Sequence, residues 1–202
     1  MILWTLRHTK PHNPHNYCYG RADFEVAPSF DAEFPPALEA LKPCRASHLF
    51  SSPLKRCKTL ADKVSDHLSL PIETKDALME IHFGSWEMQE LTKVPRDEMN
   101  AWRQNWRGYR FPGGESFHDV DKRVLQFLDS CMGLKEMLWV THAGVIAVLH
   151  HAVCGVPDSD FVEGRFPYAM VTRFEIEKNS NGKYEGHFDT LYGGIQQPPL
   201  NV

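Results

Sequence analysis

A chain of 202 residues with 42% hydrophobic content carries enough apolar side chains for one sizeable core, so a single domain over 1–202 is the natural expectation. Its formal net charge of -4 excludes the broadly basic surface of a general nucleic-acid binder, although it permits a local basic pocket. Five cysteines, Cys18, Cys44, Cys57, Cys131 and Cys154, are odd in number and include no Cys-x-x-Cys pair. They indicate neither a disulfide framework nor a structural zinc site, and reduced thiols are the simplest account. Cys57 leads into Lys58-Thr59-Leu60-Ala61-Asp62-Lys63 without the arginine of a cysteine-phosphatase loop, which disfavours thiol chemistry. The first apolar stretch stops at Arg7, too short for a signal peptide, and no later stretch reaches membrane-spanning length. A soluble, cytoplasmic protein without membrane contact is expected.

In chain order, Ile2 to Leu6 is an apolar run that reads as a buried strand. The Pro-, Asn-, His- and Gly-rich stretch from Lys10 to Ser29 reads as an irregular loop lying over a site rather than in the core. Pro35-Pro36 fits the first turn of a helix running to about Leu41. His48 to Ser51 is a second strand. Pro53 opens a helix with Leu54, Cys57, Leu60, Ala61, Val64 and Leu68 at helical spacing, and a third strand lies near Ile72 to Thr74. Residues 85–114 hold three tryptophans with Tyr109 and Phe111 but little regular period, which suggests a small cap insertion. Ser116 caps a helix carrying Val120, Val124, Leu125, Phe127 and Leu128. Met137 to Thr141 is a strand, followed by a helix from Gly144 to Cys154. Ala169 to Ile176 and Tyr184 to Thr190 alternate around Asn181-Gly182, a hairpin signal. The alternation of strands and helices predicts an α/β protein, a three-layer α/β/α sandwich around a mainly parallel sheet with a C-terminal hairpin.

Parallel strands place their carboxyl ends along one edge of a sheet, where open α/β folds bind ligands. Four such ends carry groups suited to a phosphate monoester: Arg7-His8 after the first strand, Ser51 to Arg56 after the second, Glu80 after the third, and Thr141-His142-Ala143-Gly144 after the fourth. Guanidinium forks bind phosphoryl oxygens bidentately, so Arg7 and Arg56 are well shaped to hold the group for attack. Each cation at ~4 Å contributes on the order of 4 kcal/mol of Coulomb attraction before desolvation. Two or three of them replace a metal ion, and nothing in the chain builds a metal or cofactor site. A neutral imidazole is a competent nucleophile near neutral pH, which makes His8, beside Arg7, the candidate for a phosphohistidine intermediate. His142 is read as a hydrogen-bond donor to the transferring oxygens. Glu80, flanked by apolar residues, is read as the proton donor to the leaving alkoxide, with a solvated loop carboxylate as the alternative.

With these residues in place, the chain resembles the histidine phosphatase superfamily, which includes the cofactor-dependent phosphoglycerate mutases and many small phosphatases. The likeness rests on Arg7-His8, Ser51-Ser52-Pro53-Leu54-Lys55-Arg56, Leu78-Met79-Glu80 with Phe83-Gly84-Ser85-Trp86-Glu87, Pro112-Gly113-Gly114-Glu115-Ser116 and Val140-Thr141-His142-Ala143-Gly144. It implies a phosphoglycerate mutase-like fold, His8 as the phospho-accepting residue, Glu80 as proton donor, and Arg7, Arg56 and His142 as the phosphate pocket. The chain departs from the family pattern at Thr9 in place of glycine, at Pro14 in place of asparagine, and at Met88 after Trp86-Glu87. Thr9 still offers a hydroxyl to the phosphate, and Asn13 or Asn16 is a substitute for the usual amide.

Arg7 to Pro11 followed by Cys18-Tyr19-Gly20-Arg21-Ala22-Asp23 is similar to the α-ribazole phosphatase branch, which implies removal of the 5′-phosphate of α-ribazole phosphate in cobalamin nucleotide-loop assembly. Arg21 then either touches substrate or pairs with a surface carboxylate. Trp86, Trp102, Trp106, Tyr109 and Phe111 either stack the base of the ligand or pack the insertion against the body. His12 and His15 read as a mobile polar loop rather than a metal pair, and one of His150 and His151 should face solvent. The alternatives are a phosphoglycerate mutase or broad-specificity phosphatase and, from another class, an inactive relative that binds phosphorylated ligands.

Overall fold

The computed structural model describes residues 1–157 and 166–194. Strands β1 (Ile2–Arg7), β2 (His48–Ser51), β3 (Ile72–Thr74) and β4 (Glu136–Thr141) run parallel, and β5 (Val171–Lys178) and β6 (Tyr184–Tyr192) form the expected hairpin. β5 joins antiparallel to β1, giving the order β3-β2-β4-β1-β5-β6. The helices are α1 (Phe30–Ala40), α2 (Lys55–Leu68), α3 (Arg96–Gln104), α4 (Phe117–Cys131) and α5 (Ala143–Cys154).

Strand alternation sorts the apolar residues into two cores. On one face Leu3, Phe50, Met137, Trp139, Phe174 and Ile176 pack with Val120, Val124 and Leu128 of α4 and with Val145, Val148, Leu149 and Val153 of α5. On the other, Trp4, Leu6, Leu49, Leu138, Val140 and Val171 pack with Phe30 and Ala37 of α1 and with Cys57, Leu60, Ala61 and Val64 of α2. Each fully buried side chain of this size is worth about 1.5–3 kcal/mol of transfer free energy. Both strand faces are thus covered, and the expected three-layer α/β/α sandwich is what forms.

The topology decides where a ligand fits. β1 leads through α1 to β2, and β4 leads through α5 to β5, yet β1 and β4 are neighbours with β2 and β5 on their outer sides. The two chains therefore diverge onto opposite faces as they leave the sheet. A crevice opens at the carboxyl ends of β1 and β4, the switch point at which doubly wound sheets bind ligands. Arg7 pairs in register with Thr141, so His8 and His142 emerge side by side.

Two local readings are corrected. α1 begins at Phe30, with Pro35 and Pro36 inside it rather than in its first turn. Its true first turn is held at Ser29, whose carbonyl accepts from the Glu33 amide (3.1 Å) and whose hydroxyl donates to Glu33 Oε1 (2.6 Å). This anchorage offsets the two hydrogen bonds that the prolines remove. α3 escapes a periodicity reading because it buries only Met99 and Trp102. At α4 the expected cap is a full capping box: the Asp119 amide donates to Ser116 Oγ, and the Ser116 amide donates to the Asp119 carboxylate, an arrangement worth about 1 kcal/mol.

The segment over 85–114 joins the core of the body. Trp86, Trp102 and Phe111 are buried in the same cluster as Trp139 and Val120, while Trp106 and Tyr109 are half-buried against it. Edge-to-face contacts join Trp86 to Trp102 and Phe111. The segment starts at Gly84 with φ +55°, where a Cβ would lie 2.1 Å from the Pro112 carbonyl oxygen. Only glycine fits where the entering and leaving strands of chain cross.

Candidate active site

Arg7, His8, Thr9, Arg56, Glu80 and His142 are all buried, each less than 9% exposed. β1 delivers the first three, the opening turn of α2 delivers Arg56, the turn after β3 delivers Glu80, and the end of β4 delivers His142. The His8 and His142 rings lie with centroids 5.0 Å apart, edge to face.

The His8 tautomer follows from its partner. Nδ1 lies 2.7 Å from the Thr9 carbonyl oxygen, which only accepts, so Nδ1 carries the hydrogen and Nε2 carries the lone pair. Burial, and then the charges of Arg56 and Arg7, hold the ring well below the ordinary imidazole range, outweighing the opposing Thr9 bond. His8 is neutral in ordinary buffers. His142 is lowered likewise, by burial first and then by Arg56, His8, Arg7 and Arg123. Its Nε2 is 2.8 Å from Ser52 Oγ and 3.4 Å from Cys57 Sγ. Burial pushes the Cys57 thiol up to about 12, so this cysteine is no nucleophile.

The cations are held by backbone. Arg56 donates from Nη1 to the Ala22 carbonyl (3.0 Å) and from Nη2 to the Gly20 carbonyl (2.6 Å), and has no carboxylate partner among the described residues. Arg7 Nη1 donates to the Phe166 carbonyl. Arg56 Nε and the Thr9 hydroxyl are buried without a hydrogen-bond partner, two donors that an anion would satisfy. Tyr168 lies 4.3 Å from the Arg7 guanidinium carbon and Tyr19 lies 5.2 Å from that of Arg56. The two hydroxyls meet at 2.9 Å. These aromatic faces contribute cation–π attraction of about 0.5–2 kcal/mol each.

Glu80 sits at the amino end of α5. Its Oε1 accepts from the Ile81 amide (3.0 Å) and its Oε2 from the Gly144 amide (3.3 Å). A Cβ on Gly144 would fall 2.3 Å from Glu80 Oε1, so glycine at the first turn of α5 is what admits the carboxylate. Glu80 is therefore buried and backbone-bound rather than solvated.

Arg21 donates to Glu115 Oε1 at 3.0 Å, with a 37% exposed side chain. Glu87 accepts from the Arg21, Ala22 and Phe83 amides, fastening the first loop to the turn after Glu80. Asn13 spends both ends of its amide on the Tyr17 backbone, and Asn16 is exposed with φ 52°. His12 and His15 are exposed. His150 is buried and His151 exposed, as expected of that pair. Tyr19, Tyr168 and Ser52 were not singled out from sequence as site residues. Tyr19 lies within the Cys18–Asp23 stretch, and Tyr168 reaches the site because β5 runs antiparallel to β1 and so begins where β1 ends.

Three histidines with lowered pKa values make a stability prediction. His150 is lowered to about 4 by burial, and His8 and His142 are lowered by burial and neighbouring cations. Below the ordinary imidazole value of about 6.5 the unfolded chain takes up these protons and the folded one does not. Stability is therefore complete above that pH and is lost as pH falls toward the folded values, by roughly 1.4 kcal/mol per pH unit for each excluded proton, about 4 for three. Urea denaturation at pH 7.5 and 5.0 measures it. An unchanged midpoint would contradict neutral, buried imidazoles.

The family model for the histidine phosphatase superfamily (branch 1) matches residues 3–186. The adenosylcobalamin/alpha-ribazole phosphatase of Salmonella typhimurium is 26% identical over 167 residues, 74% of this chain and 77% of that protein. The probable phosphoglycerate mutase GpmB of Erwinia tasmaniensis is 28% identical over 118 residues, 55% of this chain, and the match spans about half (54%) of that protein. In three dimensions the chain is similar to a mycobacterial glucosyl-3-phosphoglycerate phosphatase, with TM-score 0.78 at 22% identity over 94% of this chain and 97% of that one; this likeness concerns the fold. Among the described residues no helix is long and apolar enough to cross a membrane. A model matched over nearly the whole chain, on a sheet whose switch point gathers the motif residues, means that this chain belongs to the histidine phosphatase superfamily.

Proposed function

We propose that the protein is a phosphatase that hydrolyses a small-molecule phosphate monoester through a phosphohistidine, with α-ribazole 5′-phosphate as its substrate. The observation that carries the reading is the state of His8: a buried, neutral imidazole with Nδ1 tied to the Thr9 carbonyl and its Nε2 lone pair free, beside two buried arginines. A binding module needs no such nucleophile. Arg56, lacking a carboxylate partner among the described residues, supplies positive charge that a phosphoryl group would neutralise.

In the first step Nε2 of His8 attacks phosphorus, the N–P bond forms, and the ester P–O bond breaks. The proton of the Glu80 carboxylic acid passes to the departing alkoxide. Arg7, Arg56, His142 and the Thr9 hydroxyl hold the phosphoryl oxygens throughout. In the second step Glu80, now a carboxylate, takes a proton from water as that water attacks phosphorus. The N–P bond breaks and inorganic phosphate leaves, returning His8 and Glu80 to their starting forms.

Hydrolysis is favoured over mutase chemistry because the likeness to the Salmonella phosphatase runs over three quarters of each chain, against about half for the Erwinia mutase. The α-ribazole reading rests on that relative and on the Arg7–Pro11 and Cys18–Asp23 stretches. Three of the five aromatics of segment 85–114 are committed to the core, whereas Tyr19 and Tyr168 lie against the Arg56 and Arg7 guanidiniums. Phosphate release from α-ribazole 5′-phosphate, glycerol 3-phosphate and p-nitrophenyl phosphate, set beside isomerisation of 3-phosphoglycerate, decides between the readings. The expected result is the highest kcat/KM with α-ribazole 5′-phosphate and no isomerisation. Isomerisation without phosphate release would establish the mutase, and turnover of none would sink both.

A further inference from the structure

The turn that carries Glu80 belongs to no strand ladder, yet four successive carbonyls in it are hydrogen-bonded by side chains. Arg123 Nη1 donates to the carbonyls of Ala77 (2.8 Å) and Met79 (2.7 Å), and Arg123 Nη2 donates to that of Glu80 itself (3.1 Å). The Thr141 hydroxyl takes the remaining one, Leu78 (2.8 Å). Glu115 braces the guanidinium from the other side: Oε1 accepts from Arg123 Nε (3.0 Å) and Oε2 from Nη2 (3.2 Å). Glu115 Oε2 also accepts from the His82 amide (3.0 Å). One ion pair, with side chains 17% and 16% exposed, thus grips the backbone from 77 to 82 on both sides of Glu80.

We propose that Arg123 is a positioning residue for the proton transfer, setting the backbone that aims the Glu80 carboxylate at the leaving oxygen. The inference rests on the reading of Glu80 as the proton donor. Arg123 touches neither the His8 ring nor the carboxylate of Glu80; it acts through the main chain. A guanidinium suits the task because its planar donors reach three carbonyls and a carboxylate together, whereas an ammonium offers three donors from one point. Backbone carbonyls in an irregular turn would otherwise turn to water, and the acid with them. Arg123 lies on α4 next to Val120 and Val124, which face the core, and a cation on that side of the helix marks a buried task. Its charge also reaches His142, so the test must separate charge from geometry.

Arg123→Lys keeps the charge and loses the fork; Arg123→Met keeps the stem and loses both. Each is compared with Glu80→Gln and with the double variant Glu80→Gln/Arg123→Lys. The probes are p-nitrophenyl phosphate, whose leaving group needs no proton, and whichever of α-ribazole 5′-phosphate and glycerol 3-phosphate the wild type turns over faster. Arg123→Lys should lower kcat/KM on the alkyl ester on the order of 10- to 100-fold, with Arg123→Met lower still. On the aryl ester, kcat/KM should stay within about threefold. The double variant should lose no more on the alkyl ester than Glu80→Gln does. Equal losses of kcat/KM on both esters, or losses that multiply in the double variant, would overturn the positioning role. If Glu80→Gln itself fails to separate the two esters, the reading of Glu80 falls and this inference falls with it. If either arginine variant lacks a cooperative thermal transition, Glu115→Gln, which weakens the brace and keeps the guanidinium, must show the same alkyl-selective loss, and its absence counts against the proposal.

Discussion

Replacing His8 with alanine is expected to lower turnover of every phosphate monoester by roughly 10⁴-fold or more, since the covalent route is lost and the remaining pocket only binds. His8 is the one buried imidazole at the switch point whose Nδ1 is spent on a backbone carbonyl. The loss therefore appears in kcat for aryl and alkyl esters alike, because both must form the N–P bond. Folding should survive: the ring's hydrogen bond is to its own neighbour's carbonyl, and a cavity among polar groups costs about 1–3 kcal/mol. p-Nitrophenyl phosphate turnover and a thermal melt check both halves. A well-folded variant that keeps more than about one hundredth of wild-type turnover is incompatible with a phosphohistidine on this residue.

Glu80→Gln carries the second large effect, and its signature is selective. An alkoxide leaving group is a strong base, so removing the donor should cost on the order of 10²–10⁴ in kcat/KM, which reports phosphoryl transfer to His8, on an alkyl ester and little in kcat/KM on p-nitrophenyl phosphate, while kcat on both also falls with the loss of the base that activates water. Glutamine keeps the two acceptor contacts only in part: one of the atoms now at Oε1 and Oε2, facing the Ile81 and Gly144 amides, becomes an amide nitrogen that cannot accept. A modest loss of stability is expected as well. Equal losses of kcat/KM on the two esters would reassign Glu80 to binding or support.

Much of this site was legible because it lies at strand ends. Arg7-His8 and Thr141-His142 close two apolar runs, and once those runs are parallel neighbours nothing more is needed to bring the two imidazoles within 5.0 Å. The Ser116 cap and the Asn181-Gly182 hairpin were legible for the same local reason: their hydrogen bonds join residues a few positions apart. α1 and α3 were misjudged where local rules compete with packing. Two prolines argue against a helix interior, yet Ser29 and Glu33 anchor the turn before them, and α3 has too few apolar positions to show a period. Arg21 illustrates a different limit. Its sequence neighbourhood left substrate and carboxylate both open, and the Glu115 that claims it in the structure lies just past segment 85–114, far along the chain.

By itself the sequence determined the α/β class, the strand ends, the family and the set Arg7, His8, Arg56, Glu80 and His142, all of which follow from short-range patterns and from parallel strands sharing an edge. The tertiary structure alone decided the condition of those groups. His8 and His142 are neutral because elements distant in sequence bury them and bring Arg56 beside them. Glu80 is held in place because α5 offers an amide over a glycine and α4 offers Arg123 to the turn behind it. Proton affinity and orientation depend on burial and on charges within a few ångströms, and those are properties of the packed chain.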